Sequence, residues 1–88
     1  MDPGLAILEY LEYVVVRLIT RPEAAGVTHK EKDGRHFFHI CVHPDDAGRV
    51  IGRNGRTIGA IRSLALASAE KHGIRVTVDL EDSLAGPN

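Results

Sequence analysis

The sequence is poor in aromatic residues and in cysteine. It has no tryptophan, two tyrosines and two phenylalanines, and Cys41 is its one cysteine. A single thiol excludes an internal disulfide bond and is typical of proteins in a reducing compartment. Because aromatic rings are so few, stacking on planar ligands can contribute little to binding.

The chain also lacks an apolar run long enough to span a membrane. Its most apolar segment, residues 5–19, is interrupted by Glu9, Glu12 and Arg17, which also makes it a poor signal-peptide core. We therefore expect a cytoplasmic protein with no membrane partner. A length of 88 residues, of which 43% are hydrophobic and 26% charged, fits one globular domain with a single small core.

An overall positive charge is missing too. The net charge of -1 by itself argues against nucleic-acid binding. The charge is unevenly distributed, however, because residues 48–69 contain four arginines and no acidic residue. Such a cluster on a solvated helical face arises by chance often enough that it does not identify a site alone. The four arginines are Arg49, Arg53, Arg56 and Arg62.

Hydrophobic periodicity and turn signals predict the element order α-β-β-α-α-β. Asp2 and Pro3 are a helix-start signal, and Asp33-Gly34 suits a two-residue type I′ turn between two strands. The predicted elements are a helix from Pro3 that stops before Pro22, strands over 27–32 and 35–43, helices over 44–51 and 56–72, and a strand over 74–80.

These elements predict an α+β domain, a three-stranded mixed sheet with helices packed on one face. The last strand should return beside residues 35–43 through a right-handed crossover, which makes that pair parallel. We expect one domain over residues 1–80 and a flexible tail over 81–88. The predicted inner face of the long helix consists of Ile58, Ile61, Leu64, Ala65, Ser68 and Ala69, with Leu66 exposed.

The two predicted central helices are joined by a Gly-x-x-Gly turn, Gly52-Arg53-Asn54-Gly55. Glycines allow positive φ and close backbone approach, and Arg53 and Arg56 add positive charge at the turn, which indicates a phosphate-binding loop. A plain helix-to-helix corner is the alternative. Nucleotide P-loops are excluded because Val50 stands where their first glycine belongs, and the dinucleotide fingerprint fails for want of Gly-x-Gly.

No catalytic or metal constellation stands out. The histidines, carboxylates and serines lack the spacing of a triad or a metal hydrolase, so we expect no enzyme and no cofactor. His39, Cys41 and His43 alternate along one strand, where three ligands are poorly placed to converge on an ion.

Residues 50–58, Val-Ile-Gly-Arg-Asn-Gly-Arg-Thr-Ile, resemble the signature of the KH domain, whose Gly-x-x-Gly loop clamps about four nucleotides of backbone. The element order is similar to that of the type II form. With the preceding residues 43–49, the chain resembles the small bacterial KH proteins over about residues 5–80.

The resemblance implies RNA binding and a role as an RNA chaperone or post-transcriptional regulator. It also implies a complex with KhpB (Jag) and a link to cell-envelope synthesis, cell shape and cell length. By position, Gly52 and Gly55 would allow the backbone contact, and Arg53 and Asn54 would meet phosphates. The other implied site residues are Arg49, Arg56 and Arg62, which would flank the RNA, and Ile51 and Ile58, which would form an apolar platform under the bases or simply pack in the core.

A different class of function stays open at this point. The domain could instead serve protein interaction or homodimerisation, through Leu66 and the flank of Tyr10 and Tyr13, with RNA binding incidental. The net charge of -1 favours this alternative.

Overall fold

The computed structural model describes residues 2–82, which form three helices and three strands. The first helix begins at the predicted signal, because the Asp2 carboxylate accepts a hydrogen bond from the Gly4 amide at 2.9 Å. The elements are α1 (Pro3–Leu18), β1 (Gly26–Lys32), β2 (Arg35–Val42), α2 (Pro44–Ile51), α3 (Arg56–His72) and β3 (Arg75–Asp82), with 3-10 turns at Pro22–Ala24 and Arg53–Gly55. The predicted α+β class and element order are confirmed.

The sheet has the order β1-β2-β3, with β2 in the centre. Strands β1 and β2 are antiparallel with Lys32 opposite Arg35, and the turn residues Asp33 and Gly34 have φ values of 53° and 80°. Both positive angles belong to the predicted type I′ turn. Strand β3 runs parallel to β2, with Arg75 opposite Arg35, as the crossover argument predicted.

The hydrophobic core lies between one face of the sheet and the helices. Phe38, Ile40 and Val42, which alternate along β2, are fully buried there. The predicted inner face of α3 is correct for Ile58, Ile61, Ala65 and Ala69, but it is wrong for Leu64, which is 61% exposed. Leu66 is exposed as predicted, so α3 presents two large apolar side chains to solvent.

Two histidines extend this core under α1. His29 of β1 and His36 of β2 stack with a centroid separation of 5.1 Å, and the His29 Nε2 and His36 Nδ1 atoms are 2.8 Å apart. The His29 ring also stacks on Phe38. Because one imidazole nitrogen donates and the other accepts, the pair satisfies two polar atoms at a largely buried position.

The C-terminal strand is longer than predicted. It extends to Asp82, so residues 81 and 82 belong to the sheet and not to the expected tail. The remainder of that predicted tail, 83–88, lies outside the described residues.

Candidate nucleic-acid interface

The turn between α2 and α3 is built on the unusual backbone angles of Gly52 and Gly55. Gly52 has φ 77° and ψ 170°, and its amide donates to the Gly48 carbonyl at 2.9 Å, which ends α2. A Cβ atom at Gly52 would lie 2.8 Å from the Thr57 backbone nitrogen. Gly55 is left-handed with φ 73°, and its amide donates to the Gly52 carbonyl at 3.1 Å. The chain therefore turns sharply enough to leave its backbone open to a ligand.

The tip of the turn presents polar side chains to solvent. Arg53, Asn54 and Arg56 are all exposed, and within residues 2–81 neither arginine pairs with a carboxylate. Asn54 adopts φ 56° without being glycine, a conformation that asparagine tolerates better than most residues. Two arginines are thus available to an anion at the turn.

Helix α3 begins at the turn, so the positive end of its dipole lies there. Gly55 is its N-cap and supplies no side-chain hydrogen bond, and the first turn of the helix contains no acidic residue. The first amides of the helix therefore have no capping side chain, and with the helix dipole they favour an anion at this position.

The other two arginines of the cluster are held by the fold. The Arg49 Nε atom lies 3.4 Å from Oδ1 of Asp46. Arg62 donates from Nε to the Val78 carbonyl at 2.8 Å, and its Nη2 lies 3.9 Å from the Asp79 carboxylate. The structure therefore separates Arg62 from the turn and places it against β3.

Ile51 and Ile58, the two apolar residues beside the turn, occupy different environments. Ile51 ends α2 and is 40% exposed, whereas Ile58 is 7% exposed and belongs to the core. Of the two, Ile51 has a side chain exposed to a ligand, whereas Ile58 packs the first turn of α3 onto the core.

A groove that the sequence argument did not identify runs between α3 and the edge strand β3. It is lined by Arg62, Leu66, Val76, Thr77, Val78 and Asp79. Since Arg62 contacts Val78 and Asp79, the groove begins about two helical turns from the glycine turn. The available signal in the sequence was the crossover rule, which places the last strand beside residues 35–43.

Asp46 has a structural role that its position in the sequence did not indicate. The sequence placed it in the first turn of α2, where it does lie, but its side chain is completely buried. Its carboxylate accepts hydrogen bonds from the Thr20 amide and hydroxyl and from the Arg21 amide, at 2.9–3.0 Å. Asp46 thereby ties the chain after α1 to the helix that leads into the turn.

The protonation of Asp46 follows from these contacts. Burial alone would raise the pKa of this carboxyl, but the hydrogen bonds from Thr20 and Arg21 and the charge of Arg49 outweigh burial and hold the pKa below its usual value of 3.8. The carboxylate is therefore ionised at neutral pH and orients Arg49 beside α2.

Other kinds of site find little support in the described part of the chain. Within residues 2–82, no three histidine, cysteine, aspartate or glutamate side chains come close enough to hold a metal ion. None of the helices in that range combines the length and hydropathy needed to cross a membrane.

Comparison with known proteins found a family model and several relatives that match most of the chain. The family model described as "KhpA/KhpB, KH domain" matches residues 9–80. The chain is 42% identical over 74 residues to RNA-binding protein KhpA of Halalkalibacterium halodurans, an alignment that covers 82% of this chain and 95% of that protein. It is 37% identical over 70 residues to RNA-binding protein KhpA of Oceanobacillus iheyensis, with 80% and 93% covered.

Proposed function

The chain belongs to the KhpA/KhpB family of KH domains, and from this premise we propose that it binds single-stranded RNA by the backbone at the turn formed by residues 52–55. One observation carries the proposal: the turn combines an open glycine backbone with two arginines that no carboxylate of residues 2–81 neutralises. The relatives' name, RNA-binding protein KhpA, supports it.

In this proposal each part of the site has a separate task. Gly52 and Gly55 let the phosphates approach the backbone, the first amides of α3 donate to them, and Arg53 and Arg56 supply charge. The nucleotides that follow would lie in the groove between α3 and β3, where Leu66 offers an apolar surface. Ile51 would contact a base at the near end, and Arg49 would approach the backbone from α2. No catalytic step or cofactor is involved.

We extend the proposal to a cytoplasmic RNA chaperone or post-transcriptional regulator. The family model includes both KhpA and KhpB in its name, which supports a partner of the KhpB (Jag) type. Through such a complex the protein would influence cell-envelope synthesis and cell length.

A protein-interaction role is the second candidate, favoured by the exposed side chains of Leu64 and Leu66 on α3. The tyrosine flank contributes less than the sequence suggested, because the Tyr10 hydroxyl donates to the Ile61 carbonyl within the domain. Tyr13 remains exposed and could contact a second copy of the chain.

A salt titration separates the two candidates. Single-stranded RNA binding is measured for the wild type, for Arg53→Asp with Asn54→Asp, and for Leu5→Asp with Arg17→Asp, which changes the net charge equally at exposed positions of α1. With three or four phosphates neutralised, the wild-type logarithmic salt slope should be about -2 to -3. The turn variant should lose most of its affinity while the α1 variant keeps it; equal affinities would rule out the turn as the RNA site.

A further inference from the structure

The face of the sheet opposite the helices presents a regular pattern of side chains. Residues of this face share four strand-to-strand rows, because side chains alternate between the two faces of a strand. None of them is buried, since the core occupies the other face. The rows are Lys32, Arg35 and Arg75; Lys30, Phe37 and Thr77; Thr28, His39 and Asp79; and Gly26, Cys41 and Glu81.

Charge on this face is divided between its two ends. At the end next to the β1–β2 hairpin lie four cations, which we call the hairpin patch: Lys30, Lys32, Arg35 and Arg75. At the other end β3 contributes Asp79 and Glu81. With strands about 4.8 Å apart and alternate residues about 7 Å apart, the Cα atoms of the patch fit within about 10 Å by 7 Å.

The cations of the hairpin patch are not neutralised by neighbours. Within residues 2–81, none of the four forms an ion pair with a carboxylate. Arg35 uses Nη1 to contact the Val76 carbonyl and the Thr77 hydroxyl, each at 3.2 Å, which holds its side chain against β3 and leaves other guanidinium donors for a ligand. Of the nearby acids, Glu31 belongs to the opposite face and Asp33 to the turn.

An aromatic ring lies beside these cations. Phe37 of the central strand is half-buried, with Lys30 and Thr77 as its partners on either side. A flat ring flanked by lysine and arginine suits a nucleobase together with its phosphates. An acidic peptide would use the cations but would gain little from the ring.

We propose that the hairpin patch with Phe37 is a second RNA-binding surface, which holds a different part of the strand from the one held at the glycine turn. The inference rests on the proposed RNA function. The two surfaces lie at opposite ends of α3, because α3 begins at the turn and only two residues separate its end from Arg75, the first residue of β3. Seventeen helical residues separate them by about 25 Å.

This separation makes RNA length the decisive variable. An oligouridylate of about five nucleotides fills one surface, whereas one of about twenty can reach both. We compare the wild type with Lys30→Gln/Lys32→Gln, which removes two exposed cations of the patch. The control is Arg17→Gln/Arg21→Gln, which removes two exposed cations near the end of α1.

The long RNA should bind the wild type more tightly and with a steeper salt dependence than the short RNA. Loss of two phosphate contacts should make the logarithmic salt slope for the long RNA shallower by about 1.4 in Lys30→Gln/Lys32→Gln. Between about 50 and 200 mM salt, the long-RNA affinity of the wild type should therefore fall by about sevenfold more than that of the variant. Short-RNA binding should be unchanged in that variant, and the control should match the wild type with both RNAs.

A Phe37→Leu variant tests the ring separately from the charge. It should weaken long-RNA binding by about fivefold or more with no change in salt slope, because the ring carries no charge. The second surface would be overturned if Lys30→Gln/Lys32→Gln kept the wild-type salt slope for the long RNA, or if polyglutamate displaced the long RNA as effectively as unlabelled RNA does. Binding of the short RNA would still support the turn in either case. A wild type that binds neither RNA would overturn the RNA function itself.

Discussion

Adding one methyl group at three glycines near the turn should give three different results. At Gly52 the methyl would lie 2.8 Å from the Thr57 backbone nitrogen, in a φ/ψ region that only glycine occupies readily. At Gly55 it would meet no atom within 4 Å, and only the left-handed conformation opposes it. At Gly59, inside α3, it would also meet no atom within 4 Å, and it would replace the residue least suited to a helix after proline.

These differences predict changes in the free energy of unfolding that differ in size and in sign. Gly52→Ala should lower the free energy of unfolding by about 3 kcal/mol or more, since backbone strain and a backbone clash add together. Gly55→Ala should cost about 1 kcal/mol. Gly59→Ala should raise the stability by about 0.5–1 kcal/mol. In a domain of this size, 1 kcal/mol corresponds to a change in Tm of about 4–8 °C.

Thermal and urea unfolding of the three variants measure these values directly. All three change the same number of atoms and no charge, so each serves as a control for the others. If Gly52→Ala were no more destabilised than Gly55→Ala, or if Gly59→Ala were less stable than the wild type, the geometry assigned to the turn would be refuted.

Two further predictions concern titrating groups. Because the pKa of Asp46 is held below its usual 3.8, the ionised carboxylate stabilises the fold above that pH, and this stabilisation is lost as the pH falls through the lowered pKa. The Asp46→Asn variant should therefore be less stable than the wild type at pH 7 and should lose less stability on acidification. Parallel curves of Tm against pH for the two proteins would contradict this. Burial raises the pKa of the Cys41 thiol, and the charge and hydrogen bond of Glu81 raise it further. Alkylation of Cys41 at pH 8 should therefore be slower than alkylation of a free cysteine, and it should be faster in Glu81→Gln than in the wild type.

Local chemistry in the sequence was enough to predict most of the fold. Asp2 and Asp33-Gly34 each act through a few neighbouring atoms, so a cap and a turn could be located from residue type alone. The parallel position of β3 also followed, because the rules for crossovers leave few alternatives.

Features that depend on distant residues were not predictable in this way. Leu64 fits the apolar stripe of α3 by spacing, yet the stripe is narrower than that spacing implies, and no element of residues 2–82 covers this side chain. Asp46 looked like one of two similar carboxylates, and only the packing of the chain after α1 distinguishes it from the exposed Asp45. Arg62 was predicted to flank the RNA, and only the fold shows that its Nε donates to the Val78 carbonyl of β3.

The pairing of β3 with β2 also sets the order of events during synthesis. The hairpin and α1 can form early from neighbouring residues, but the helices that bound the glycine turn lie between two strands that pair only after residues 75–82 leave the ribosome. Until then the apolar face of α3 lacks Val78 beneath it. A nascent chain should therefore complete the packing that holds α2, the glycine turn and α3 in place only after β3 has paired with β2.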